Sequence, residues 1–209
     1  MKVLIATPTM GSVNVRYFMS ILSLNQPCQA NVGVEDGSVV YMARNRLALK
    51  AIENNYDYVL WIDSDMQFKP NMLEMLLEDA KQGMDVVTGI CFKRSFPVEP
   101  TICKTISCED GIGDVEIYKD YPHDSVFEVG GMGLACCLMK TDVIKQVCET
   151  FQCSPFEPLP QLGEDYSLCW RLHSMGIKMY CDSRVKVGHV GDFVYDEAIY
   201  DGQRIMEVK

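Results

Sequence analysis

Three groups of residues in this sequence have the types and spacing to do chemistry. The first is Asp63-Ser64-Asp65, directly after the apolar run Tyr58–Ile62. Such a run reads as a buried strand, and residues i and i+2 of an extended chain point the same way. Two carboxylates aimed at one point, with no basic neighbour in sequence, repel each other unless a cation intervenes. Hard oxygen ligands suit Mg2+ or Mn2+. The second group is Glu164-Asp165, behind Gly163 at the start of a helical pattern. Helix capping alone accounts for acids in that position, while a carboxylate held at a cleft also serves as a general base for a hydroxyl. The third is His189, within Val187-Gly188-His189-Val190-Gly191. Its glycine flanks allow close backbone approach, and an imidazole is a fitting third ligand for Mn2+. His123 and His173 have no comparable context.

The elements that must position these residues follow from the hydrophobic pattern. Lys2–Thr7 is a short strand, and Phe18, Ile21 and Leu22 have the spacing of an amphipathic helix facing the core. Asn31–Val34 is a short second strand closed by the turn Glu35-Asp36-Gly37. Val40, Ala43, Leu47 and Ala51 mark one face of a second helix. Tyr58–Ile62 is the third strand. Pro70 opens a third helix with Leu73, Leu76, Leu77 and Ala80 inward, and Asp85–Cys91 is the fourth strand. This alternation predicts a mostly parallel sheet flanked by helices, with ligands beyond the carboxyl ends of the strands. From Pro97 onward the strand candidates are short and punctuated by Pro, Gly and Asp, which predicts a small antiparallel part. A Gly-rich turn (Gly130, Gly131, Gly133), a strand over Leu134–Met139 and a helix from Thr141 follow. Glu164–Met175 is a helix stopped by Gly176, and Val185–Gly188 is a last strand running into His189.

With 209 residues, of which 48% are hydrophobic and 23% charged, the chain has room for one domain with a sizeable core. Its 19 Lys+Arg against 29 Asp+Glu give a net charge of -10, which argues against nucleic acid or anionic membrane as a general partner. No apolar run approaches the ~18 residues of a membrane span. None of the 10 cysteines forms a C-x-x-C pair, and no glycosylation sequon occurs. Reduced thiols and a cytoplasmic location are the expectation.

In combination, these residues resemble the GT-A glycosyltransferases, closest to the family 2-like branch, over nearly the whole chain. Ile5-Ala6-Thr7-Pro8-Thr9-Met10-Gly11 resembles the first strand and nucleotide-facing loop. Ala43-Arg44-Asn45-Arg46 is similar to the "ARN" element, Trp61-Ile62-Asp63-Ser64-Asp65 to the D-x-D motif, and Val129-Gly130-Gly131-Met132-Gly133 to the Gly-rich stretch. Gly163-Glu164-Asp165-Tyr166 with Arg171 resembles the "ED" helix, and His189 the C-terminal metal histidine. The resemblance implies a GT-A fold in a single domain. Residues 1–95 would be its nucleotide-binding half and 96–209 its acceptor-side half, in a piece of a longer protein. It implies a hexosyl-type transferase using Mn2+ or Mg2+ and a nucleotide-sugar donor, with a UDP-sugar favoured and a glycan acceptor. Asp65, His189 and Asp63 would serve the metal. Thr7, Pro8, Thr9, Asp36, Arg44, Asp63, Ser64 and Asp65 would face the donor. Asp165 would be the base, with Glu164 as its substitute and inversion at the anomeric carbon. Lys93 and Arg94 are candidates to help with the leaving charge, or else a solvated turn. The compact length resembles small viral members, which would place the chain in an infected cell's cytoplasm.

Other activities fit less well. A sugar nucleotidyltransferase carries a Gly-rich loop with a basic residue after its first strand, which Thr7–Gly11 lacks. A haloacid-dehalogenase-type phosphatase also uses D-x-D, but on its first strand. A carbohydrate-binding module has no need of two acidic pairs and a histidine. The acidic balance itself makes a prediction: if the ligand is a diphosphate, its binding collapses without divalent metal.

Overall fold

The structure, a computed structural model, describes residues 1–37, 39–109 and 112–207. In chain order the elements are β1 (Lys2–Thr9), α1 (Val15–Ser23), β2 (Gln29–Asp36), α2 (Val40–Glu53), β3 (Tyr58–Ile62), β4 (Met66–Gln67), α3 (Met72–Lys81) and β5 (Val86–Ile90). Then follow β6 (Ile102–Glu109), β7 (Ile112–Ile117), β8 (Val126–Val129), β9 (Gly131–Met132), β10 (Cys136–Lys140), α4 (Thr141–Phe151) and α5 (Glu164–Ser174). The last elements are β11 (Met179–Lys186), β12 (Gly188–Val190), β13 (Val194–Tyr195) and α6 (Glu197–Glu207).

A seven-stranded sheet in the order β2-β1-β3-β10-β5-β11-β8 forms the centre. β1, β2, β3, β5 and β11 run one way, and β10 and β8 run against them. The inner strands β1, β3 and β5 are buried on both faces, which is why they read as continuous apolar runs instead of alternating ones. One face packs Leu4, Ala6 and Trp61 beneath α2, α4 and α5. The other packs Val3, Ile5 and Ile62 beneath α1 and α3. Two three-stranded sheets, β13-β12-β4 and β7-β6-β9, are appended.

Several elements depart from the sequence pattern. β10 lies inside the sheet but antiparallel to both neighbours, so the parallel run is interrupted at its centre. β2 is longer than Asn31–Val34 and absorbs Glu35 and Asp36, because all eight of its residues pair with β1. Helix α1 keeps Ile21 against the core but turns the other two expected residues outward. Phe18 is 49% and Leu22 65% exposed, and the core contact falls to Tyr17 and Ser20 instead. The reason is a hydroxyl pair: Tyr17 reaches under the sheet edge to hydrogen-bond Thr7. The strand expected over Val185–Gly188 begins earlier, at Met179, because β5 and β8 flank Met179–Asp182.

Candidate functional site

Asp63, Ser64 and Asp65 form a turn between β3 and β4, stitched by backbone hydrogen bonds to three distant segments. Asp63 N–H donates to Ala135 O, Asn14 N–H to Ser64 O, and Val190 N–H to Asp65 O, at 3.3, 2.8 and 2.8 Å. A turn does not keep the i, i+2 alignment of a strand. Both carboxylates line one cleft, and each finds its own cation. Asp63 Oδ1 accepts from Arg44 Nη2 at 3.0 Å, and Asp65 Oδ2 accepts from Arg94 Nη1 at 2.9 Å. The basic partners missing from the local sequence are supplied across the fold. Repulsion alone therefore does not require a metal.

Strand pairing explains how His189 reaches this turn. β4, immediately after Asp65, pairs antiparallel with β12, setting His189 opposite Met66. His189 Nε2 then lies 3.1 Å from Asp65 Oδ2, and Nδ1 lies 3.0 Å from Phe92 O. The carbonyl can only accept, so Nδ1 carries a proton and Nε2 is the nitrogen turned to the carboxylate. Burial opposes charge on the imidazole, but Asp65 wins and raises its pKa. Burial likewise opposes ionisation of Asp65, but the His189 hydrogen bond and charge, with Arg94, hold it below its ordinary value. The oxygen-plus-imidazole pair, with Nδ1 braced by a carbonyl, fits a borderline divalent cation. Asp63 is no third arm of this set. Among the described residues only His123, Glu197 and Asp201 bring three ligand atoms within 4.8 Å of one another. That group is already an ion-paired cluster, with Lys186 Nζ 2.5 Å from Glu197 Oε2.

A cleft of about 730 Å3 runs along this edge, lined by Pro8, Thr9, Asn14, Asp63, Ser64, Asp65, Arg94 and His189 among others. Pro8, Thr9 and Ser64, expected to face a donor, thus line the cleft. Thr7 does not: it is buried, with its hydroxyl on Tyr17. Asp36 lies exposed at the end of β2, outside the lining, and its carbonyl accepts from Arg46. Lys93 pairs with Glu99, whereas Arg94 enters the cleft.

Arg44 also moves from its expected place. It lies 2% exposed, outside the residues that line the cleft, at the meeting point of three carboxylates. Besides Asp63, it lies 3.5 Å from Glu164 Oε1 and 3.5 Å from Asp165 Oδ1. Its guanidinium sits over the Phe156 ring, which packs edge-on against Trp61. Burial works against the guanidinium charge, and the Asp165, Asp63 and Glu164 charges more than restore it. Burial raises Asp165, against the pull of Arg44 and with a further push from Asp63. Glu164 is raised by burial and by Asp165, again against Arg44. One arginine thus serves three acids, and the two on α5 are tuned toward holding a proton, the condition a general base needs near neutral pH. Asp165 Oδ2 accepts from Leu134 N–H at 3.0 Å, while its buried Oδ1 has no hydrogen-bond partner. Arg171, further along α5, is buried and braces the helix by donating to Pro155 O at 3.3 Å.

The Gly-rich turn is explained by close packing. A Cβ at Gly130 would lie 2.3 Å from Lys104 O, and one at Gly131 2.9 Å from Cys103 Sγ. These contacts let β9 pair with β6 and bring Leu134 N–H under Asp165. Phe156 is the functional neighbour that sequence reasoning missed. Its N–H donates to Asn45 Oδ1 at 3.0 Å, so the residue after Arg44 anchors the ring beneath it. The adjacency of Arg44 and Asn45 was the available signal.

The fold is the GT-A fold of nucleotide-diphospho-sugar transferases, a large mostly parallel sheet with appended antiparallel parts. By sequence, residues 41–129 match glycosyl transferase family 2, a span that includes Arg44 and the Asp63-Ser64-Asp65 turn. Among solved structures the chain is similar to A197 from STIV, with a TM-score of 0.66 and 18% identity over 92% of this chain and 87% of that one. It is also similar to GalNAc-T7, solved with UDP, GalNAc and Mn2+, with a TM-score of 0.64 and 8% identity over 91% of this chain. The chain spans 44% of the length of that GalNAc-T7 chain. No curated protein matches the chain by sequence. No described helix is long and apolar enough to cross a membrane.

Proposed function

We propose that this chain is a metal-dependent glycosyltransferase that moves a sugar from a nucleotide-diphosphate donor, a UDP-sugar by preference, to a hydroxyl of a glycan acceptor. The observation that carries the reading is the Asp65–His189 pair at the mouth of the cleft, with the imidazole braced by Phe92 O. The family 2 match across Arg44 and Asp63–Asp65 supports it. So does the likeness of fold to GalNAc-T7, whose structure holds UDP and Mn2+.

In this reading Asp65 and His189 hold the divalent cation, which supplies positive charge against the diphosphate. Pro8, Thr9 and Ser64 frame the donor, and Asp63, held in place by Arg44, faces its ribose side. Asp165, with Glu164 beside it, accepts the proton of the acceptor hydroxyl. The hydroxyl oxygen then bonds to the anomeric carbon as the bond to the diphosphate oxygen breaks, with inversion, and the nucleoside diphosphate leaves with the electron pair. The two halves divide the work, residues 1–95 carrying most of the donor contacts and 96–209 the base and the acceptor side. The test is calorimetric binding and hydrolysis across UDP-, GDP- and TDP-sugars with and without Mn2+, for the wild type and Asp65→Ala. Metal-dependent binding that Asp65→Ala abolishes is expected. Nucleotide binding indifferent to metal would sink the reading.

A further inference from the structure

The cation seated on Asp65 is an arginine, beside the imidazole expected to share a metal with it. Asp65 Oδ2 accepts from both Arg94 Nη1, at 2.9 Å, and His189 Nε2, at 3.1 Å. A divalent ion bound at this oxygen, on the His189 side, competes with both donors. His189 keeps its place, because Nδ1 is anchored on Phe92 O and Nε2 is the nitrogen turned to the site. A guanidinium has no lone pair to offer and keeps its charge, so a dication at that oxygen repels Arg94 and competes with it for the seat.

We propose that Arg94 is an exchangeable counter-ion, seated on Asp65 in the empty protein and passing to the donor's diphosphate when a divalent cation takes its seat. The inference rests on the donor-and-metal reading above. The side chain is built for such a move. Its stem lies against Gly191, where a Cβ would come within 2.7 Å of Arg94 Cδ and 3.0 Å of Cγ. The stem is thereby fixed at its base, while the side chain as a whole stays 50% exposed and lines the cleft. Its other hydrogen bond, to Val190 O, is long at 3.4 Å. Within the cleft the remaining acid, Asp63, already belongs to Arg44. The negative charge left for a displaced guanidinium is therefore one that arrives with the cation, and a diphosphate matches its fork of donors. Cation and nucleotide then bind cooperatively, each favouring the state in which Arg94 has moved.

The test is calorimetry of Mn2+ alone, and of UDP at saturating Mn2+, on the wild type, Arg94→Gln and Arg94→Lys. Arg94→Gln is expected to tighten Mn2+ alone about two- to fivefold, the scale of a half-exposed ion pair. It should weaken UDP about tenfold, the scale of a charge-assisted hydrogen bond. Arg94→Lys, which keeps the charge without the fork, should recover part of the UDP affinity. The opposite signs are the signature, since a purely structural role moves both affinities down. Unchanged Mn2+ affinity in Arg94→Gln, or a loss in both measurements, overturns the proposal alone. A wild type that binds neither Mn2+ nor UDP overturns it together with the reading beneath it.

Discussion

Replacing Arg44 by methionine tests the electrostatic account of the site most directly. The side chain is 2% exposed and lies 3.0 Å from Asp63 and 3.5 Å from both Glu164 and Asp165. At those separations and an effective dielectric of about 20, each contact is worth roughly 5 kcal/mol before solvation. Most of that is offset by the desolvation of the arginine and the repulsion among the acids. Removing one partner of a buried pair nonetheless costs about 3–5 kcal/mol, because the other charges stay behind uncompensated. The total stability of such a domain is about 5–15 kcal/mol, so the variant should fold but unfold readily. The pH dependence is the sharper part. Asp165 and Glu164 already stand above their ordinary values, and Arg44 opposes the shift in both. Without Arg44 both rise further, so the folded state holds protons that the unfolded state has lost. Stability then falls as pH rises through the folded-state values and is recovered below the unfolded ones. Urea unfolding of Arg44→Met should show the full loss at pH 8 and only about 1–2 kcal/mol at pH 5, where the acids can be protonated. An equal loss at both pH values would refute the argument, because it would mean that Arg44 contributes packing and not charge.

Three further outcomes follow from the same geometry. Asp165→Asn should keep metal-dependent donor binding and lose about 100- to 10,000-fold in transfer, the scale of general-base catalysis; unchanged transfer, with a loss in Glu164→Gln, would hand the role to Glu164. Asp79 is pushed up to about 7 by burial and the neighbouring Asp182, against the pull of Arg184. The folded state therefore keeps a proton that the unfolded state has lost between about pH 4 and 7, and stability declines across that window. Asp79→Asn should flatten the decline by up to about 4 kcal/mol in thermal melts; a melting temperature with the same pH slope would contradict this. Gly130→Ala drives a methyl to within 2.3 Å of the Lys104 carbonyl oxygen, so a loss of about 1–3 kcal/mol is expected by denaturant titration. A neutral substitution would show that the β6–β9 contact yields.

Much of the frame was legible. β3 occupies the residues its apolar run marks, and α3 buries Leu73, Leu76, Leu77 and Ala80 as its spacing requires. These elements are decided by a local period and burial on one side or both, and composition carries that information. Helix α1 was misread at Phe18 and Leu22 because the same spacing is satisfied by a stripe facing outward. Which stripe is buried depended on a hydroxyl partner, Thr7, on another element. β10 was placed in sequence but not in direction, since an apolar strand reads the same either way.

The residue types able to do chemistry, and their position after strands or at a helix start, were determined by the sequence alone. Asp65 and His189 were paired there only through a family resemblance, and 124 positions separate them. The tertiary structure decided which charges meet. It gave Asp63 and Asp65 separate cations, set Arg44 among three acids, withdrew Thr7 into the core and seated Arg94 on the carboxylate expected to take a metal. The physical reason is range. Hydrophobic period is a property of neighbouring residues, whereas the partner of a carboxylate is set by strand register and helix packing across the fold. That partner decides its pKa, its orientation and what it can bind.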